Sequence, residues 1–221
     1  MKLLLTSGGV TNPSIEDALV DLLGGPIADA HALCIPTAQW GHSACGPTSV
    51  RGFVGGTPPW GDMTALHWKS LGVLELTALP TIDAKRWVSW VRDADVLLVD
   101  GGDASYLCHW IRESGLADLL PSLPETVWVG VSAGSMVMTP RIGADFVTWQ
   151  SAKGDATLGV VDFSIFPHLD GFPENPLAAA ERWGSRAGTC RSFGPPRLSR
   201  RCRRLRSRTA RAWTVPEDTG V

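Results

Sequence analysis

Val127-Trp128-Val129-Gly130-Val131, followed at once by Ser132-Ala133-Gly134-Ser135, is the stretch whose reading decides the fold. Five apolar or small residues with no polar alternation describe a strand covered on both faces. The run then stops on residues small enough for a sharp turn. Two further segments have the same form. Val96-Leu97-Leu98-Val99 ends at Asp100-Gly101-Gly102-Asp103, and Leu3-Leu4-Leu5 ends at Thr6-Ser7-Gly8-Gly9. Doubly covered strands belong to parallel sheets with helices on both sides, and ligands of such sheets gather at the carboxyl ends of the strands.

Helix patterns fill the intervals. Ile15, Ala18, Leu19, Leu22 and Leu23 recur at helical spacing after Asn12-Pro13-Ser14, and Gly24-Gly25-Pro26 ends the run. Residues 84–91 predict another helix with Trp87, Val88 and Val91 inward. Tyr106, Leu107, Trp110 and Ile111 mark a third. Residues 32–36 form a further strand. Residues 39–61, rich in Gly and Pro, read as a long loop or partly ordered insertion. The pattern predicts a short helix over 64–71 and a strand over 73–76. The expected fold is therefore an α/β three-layer sandwich with a mostly parallel sheet.

Gly130-Val131-Ser132-Ala133-Gly134 matches the G-x-S-x-G nucleophile elbow, and it stands in the context the motif needs, directly after a buried strand. A serine nucleophile requires a base. His31 borders a core strand, His42 lies in the Gly/Pro stretch, and His67 and His109 fall in expected helices. His168, in Phe166-Pro167-His168-Leu169-Asp170, follows the apolar Val160, Val161, Phe163 and Ile165, a strand candidate, and is the preferred base. For a third member, Asp145, Asp162, Asp170, Glu174 and Glu181 are all eligible, and spacing does not separate them. Gly101-Gly102 offers a backbone amide for the second half of an oxyanion site. No Walker A lysine, dinucleotide fingerprint or zinc spacing is present, so no cofactor and no metal are expected. Most of the tryptophans sit in or beside apolar segments and read as packing, while Trp40 and Trp60 could line a pocket.

These motifs, in this order, resemble peptidase family S51, the dipeptidase E (aspartyl dipeptidase) group with cyanophycinases among its relatives. The likeness is carried by residues 2–13 (KLLLTSGGVTNP), 94–107 (ADVLLVDGGDASYL), 127–137 (VWVGVSAGSMV) and Pro167-His168, and it extends over about residues 1–183. The resemblance implies a fold related to class I glutamine amidotransferases and a metal-free serine-type dipeptidase that acts in the cytoplasm. By motif position, Ser132 resembles the nucleophile, His168 the base, and Gly102 with the Ala133 amide the oxyanion donors. One family assignment of the acid falls nearest Asp145. The substrate it implies is a short peptide, possibly with aspartate first. An esterase or amidase built on the same elbow is the enzymatic alternative, and a catalytically impaired homologue or a nucleic-acid-binding protein acting through the Arg-rich tail is the other. The chain departs from the family's Gly-Gly-Gly-Asn at Asp100 and Asp103, two carboxylates that disfavour an acidic substrate unless neutralised.

Charge divides the chain. Residues 1–185 hold 20 acidic and 10 basic side chains, whereas residues 186–221 hold 2 acidic and 10 basic ones, every basic one an arginine. The near-neutral total of −2 thus averages an acidic peptidase-like domain, 1–185, and an Arg-rich segment, 186–221. The apolar pattern fails at the same place, near residues 184–189. The preferred reading is a shifted reading frame that replaces the domain's closing strands. A nucleic-acid-binding arm over 186–211 and an appendage without a partner are the alternatives. The five cysteines form no close pair, which gives no support for a disulfide framework. The 44% hydrophobic content argues against wholesale disorder. No apolar run reaches membrane-spanning length, and an intracellular location is expected.

Overall fold

The computed structural model describes residues 1–59 and 61–168, together with the backbone of residues 212–214. Five parallel strands form the centre: β1 (Lys2–Thr6), β2 (His31–Ile35), β3 (Ser70–Val73), β4 (Val96–Val99) and β5 (Val127–Val131). A sixth, β6 (Ala212–Thr214), pairs antiparallel with β1, giving the order β3-β2-β4-β5-β1-β6. The α/β fold is the one the sequence predicts. β6 was not anticipated, because three residues after an arginine-rich run carry too short a pattern to mark a strand.

Alternation along the strands sorts the core into two layers. Leu3, Leu5, Leu97, Val99 and Trp128 face one side, with helices α3 (Ala84–Arg92), α4 (Ala104–Glu113) and α5 (Leu116–Leu119) packed there through Trp87, Val91, Leu107, Ile111 and Leu116. Leu4, Cys34, Val96, Leu98, Val127 and Val129 face the other. They meet Ile15 and Leu19 of α1 (Pro13–Leu23) and Phe53 of α2 (Pro47–Val54). Full burial of each such side chain contributes about 1.5–3 kcal/mol.

Local signals end the helices where the sequence placed them. The Asn12 side chain accepts the Ile15 N–H at 3.1 Å, Pro13 opens α1, and Gly24 closes it in the left-handed conformation. Asp83 caps α3 through the Lys85 amide.

Four expectations are corrected. The stretch 39–61 contains a 3-10 turn, Thr37–Gly41, and helix α2; its glycines allow close packing, with Gly41 lying against Tyr106 and Asp103. Residues 64–71 are not a helix. The Thr64 hydroxyl donates to the Phe53 and Gly61 carbonyls, and the Trp68 indole donates to Met63 O at 2.8 Å, which folds the segment into turns. The strand expected at 73–76 instead starts at Ser70, because β2 offers an open edge in register from His31. Finally, residues 160–165 form no strand. The Val160 and Val161 amides both bond to Met138 O and dock the segment onto the core.

Candidate active site

Ser132 ends β5 at the point where the chain must reverse into the one-turn helix α6 (Ala133–Met136). Its backbone takes φ 49° and ψ −107°, a region that costs a non-glycine residue about 1–3 kcal/mol. The surroundings hold it there. The Ser132 N–H donates to Thr6 O at 3.0 Å, and its carbonyl accepts from Met136 N at 2.8 Å. The glycines on either side leave no room for a side chain. A Cβ at Gly130 would run into the Gly134 carbonyl, and one at Gly134 into the Val99 carbonyl.

Three residues that sequence reasoning missed brace this turn. Ser135, fully buried, accepts the Thr6 N–H at 2.9 Å and lies 2.8 Å from both the Thr6 and Gly130 carbonyls. Thr6 donates its hydroxyl to Gly130 O at 2.7 Å and accepts from Gly9 N. Trp128, also fully buried, donates its indole N–H to Gly134 O at 2.8 Å. A polar Ser135 in an otherwise apolar segment was the available signal. Thr6 and Trp128 gave none.

The structure brings His168 to Ser132. Its Nε2 lies 2.8 Å from the Ser132 Oγ, and its own N–H donates to Ser7 Oγ at 3.2 Å. His168 also has positive φ, 55°, so two left-handed residues face each other across the site. Desolvation of the ring against the site lowers its pKa below the ordinary histidine value. Asp145 lies in the exposed turn Ala144–Phe146. Asp162 is exposed as well, while Asp170, Glu174, Glu181 and Trp60 lie outside the described residues. The other histidines stand apart in other contacts. His31 pairs with Ser70, His42 with its own turn, and His109 packs on Trp110 and Trp149. His67 is exposed in the turns before β3.

The glycine turn after β4 forms the opposite wall. A Cβ on Gly101 would sit 3.4 Å from that of Ser132, and Gly102, at φ +135°, presses against the Ala38 carbonyl. Among the described residues, neither the Gly102 nor the Ala133 amide donates to a backbone carbonyl. Both carboxylates of this turn are engaged. Asp103 caps α4 by accepting Tyr106 N at 2.8 Å, and its second oxygen takes the Thr148 hydroxyl. Asp100 is buried, accepts Gly101 N at 2.7 Å and receives the Gln39 amide. Trp40, next to Gln39, is half exposed and donates to Glu75 Oε2 at 3.1 Å. No group of three His, Cys, Asp or Glu side chains among the described residues could hold a metal ion, and none of their helices is long and apolar enough to cross a membrane.

Comparison with known proteins gives this geometry a family. Two crystal structures share the fold. A candidate peptidase E protein from Listeria monocytogenes EGD-e superposes with a TM-score of 0.56 at 18% identity, covering 81% of this chain and 86% of its own. A peptidase from an acI-B1 Actinobacterium gives 0.57 at 19% identity, covering 81% of this chain and 74% of its own. No curated protein matches. The model of peptidase family S51 matches residues 3–187, a span that contains the elbow, the glycine turn and His168. The chain belongs to peptidase family S51.

Proposed function

We propose that this peptidase-family hydrolase is serine-type and cleaves short peptides with a free N-terminus. The observation that carries the reading is the 2.8 Å contact between Ser132 Oγ and His168 Nε2 on a positive-φ elbow. Ser132 Oγ attacks the scissile carbonyl carbon while His168 Nε2 takes its proton. The Gly102 and Ala133 amides receive the negative oxygen of the tetrahedral intermediate. Collapse breaks the C–N bond, and the departing amine takes the proton from His168. A water molecule, deprotonated by the same nitrogen, then releases the acid from Ser132.

Resemblance to the dipeptidase E group favours dipeptides with N-terminal aspartate. The engagement of Asp103 as the cap of α4 removes part of the objection that two carboxylates raise against an acidic substrate. Turnover of Asp-, Asn- and Ala-initiated dipeptides, set beside short acyl esters, tests the reading. Peptide cleavage that Ser132→Ala abolishes without loss of fold is the expected result. Ester turnover without peptide turnover would replace it with an esterase, and full activity in Ser132→Ala would end the serine mechanism.

A further inference from the structure

Asp100 is a buried carboxylate for which the proposed chemistry has no step. Only 7% of the residue reaches solvent. One oxygen accepts the Gly101 amide and the other faces Gln39 Nε2. Gln39 is 2% exposed, and its Oε1 is left without a hydrogen-bond partner. Gly101 packs on Ser132, and Gly134 of the elbow packs on the Val99 and Asp100 carbonyls. A charge on Asp100 is therefore enclosed within the backbone that offers the Gly102 amide. In such a dry setting, two negative charges oppose each other strongly.

We propose that Asp100 is a positioning residue that gates the oxyanion turn: its ionised carboxyl opposes a second negative charge at Gly102, and its protonated carboxyl admits one. The inference rests on the serine reading above. Gln39 suits it, because its amide offers a donor to the carboxylate and, turned by 180°, an acceptor to the acid.

Among the described residues, the groups facing Asp100 leave its charge uncompensated. From β2 comes the Cys34 thiol, pushed up to about 12 by burial, and from the segment before α2 the Cys45 thiol, raised by the same cause; both stay neutral at neutral pH. Asp103, on the same turn, is committed to capping α4. Neither ion pair among the described residues involves Asp100. Burial pushes its carboxyl up to about 6, against the pull of the Gln39 and Gly101 donors. The His168 shift, by contrast, comes from desolvation, with no part played by Asp100.

The test is the pH profile of kcat/KM on a dipeptide with uncharged side chains, using the full chain, Asp100→Asn and Gln39→Leu. The wild type should gain activity as His168 loses its proton and then lose about tenfold as Asp100 ionises, the equivalent of one pKa unit of interaction. Asp100→Asn should lack the falling limb and outpace the wild type above neutrality. Gln39→Leu should move that limb to higher pH, because the carboxylate loses a donor. A folded Asp100→Asn that keeps the limb, or is slower above neutrality, overturns the proposal. Should Asp100→Asn not fold, an unmoved limb in Gln39→Leu does the same. A wild type inactive at every pH overturns the serine reading and this inference together. Turnover abolished by Ser132→Ala, with limbs indifferent to both variants, overturns this inference alone.

Discussion

At the residue scale, the strained Ser132 and the desolvated His168 are a matched pair, and each carries its own expectation. Because the His168 pKa is lowered from 6.5, its neutral, proton-accepting form extends to more acidic pH than a free imidazole allows. The rising limb of kcat/KM should accordingly have its midpoint below 6.5, as a pH–rate profile will show. Asp145 separates a triad from a dyad. Loss of a tautomer-fixing carboxylate lowers kcat by about 10⁴ in serine triads, so a drop of that size in Asp145→Asn marks a triad and an unchanged kcat a dyad. Asp100 makes a stability prediction as well. Its pKa rises from 3.8 to about 6 on folding, so the native state holds the proton more tightly. Its contribution is complete below 3.8 and is lost as pH climbs through about 6. The loss is of order 3 kcal/mol. Denaturant titrations of wild type and Asp100→Asn across that window should diverge by about this amount, with the variant the more stable at neutral pH.

At the element scale, the strand–turn–helix units carry both walls of the site. Asp103 joins three of them: its N–H donates to Ala38 O at 2.9 Å, one oxygen caps α4, and the other takes Thr148. Asp103→Ala should cost about 1–2 kcal/mol in chemical denaturation from the cap alone. It should also lower kcat by releasing Gly102, whereas Asp103→Asn should restore most of both. Gly134→Ala, which drives a methyl group into the Val99 carbonyl, should be the more damaging change. Elements whose cause is local were legible in the sequence: the doubly apolar strands, the Asn12 and Gly24 ends of α1, and the elbow at Ser132. Residues 64–71 were not, because three apolar side chains at helical spacing cannot reveal that Thr64 and Trp68 spend their donors on nearby carbonyls. Gln39 was equally illegible, since its partner Asp100 lies 61 positions away and only the fold brings the two together.

At the scale of the whole molecule, the acidic domain and the arginine-rich segment meet at β1. Leu4, Leu5 and Thr6 pair with Thr214, Trp213 and Ala212, so the backbone of the segment covers the edge of β1 that no other described strand pairs with. Deleting residues 186–221 should therefore lower the unfolding midpoint and promote self-association, measurable by thermal melts and light scattering. An unchanged melt would mean that the pairing adds nothing. For the shifted-frame reading, the coding DNA downstream of about codon 184 should hold an acidic, strand-patterned continuation in another frame. Salt-sensitive duplex binding that disappears with residues 186–211 would favour a nucleic-acid arm instead.

The brace between Thr6 and Ser135 spans 129 positions of sequence, and the contact from Ser132 to His168 a further 36. Contacts of that reach form late, because the intervening chain must exist and be ordered first. On the ribosome, the serine emerges before the histidine, in a chain that cannot yet hold its elbow rigid. Under the proposed serine mechanism, the growing polypeptide is chemically silent through most of its synthesis, because the Ser132–His168 contact forms only when the sheet has closed and the Pro167-His168 segment has docked.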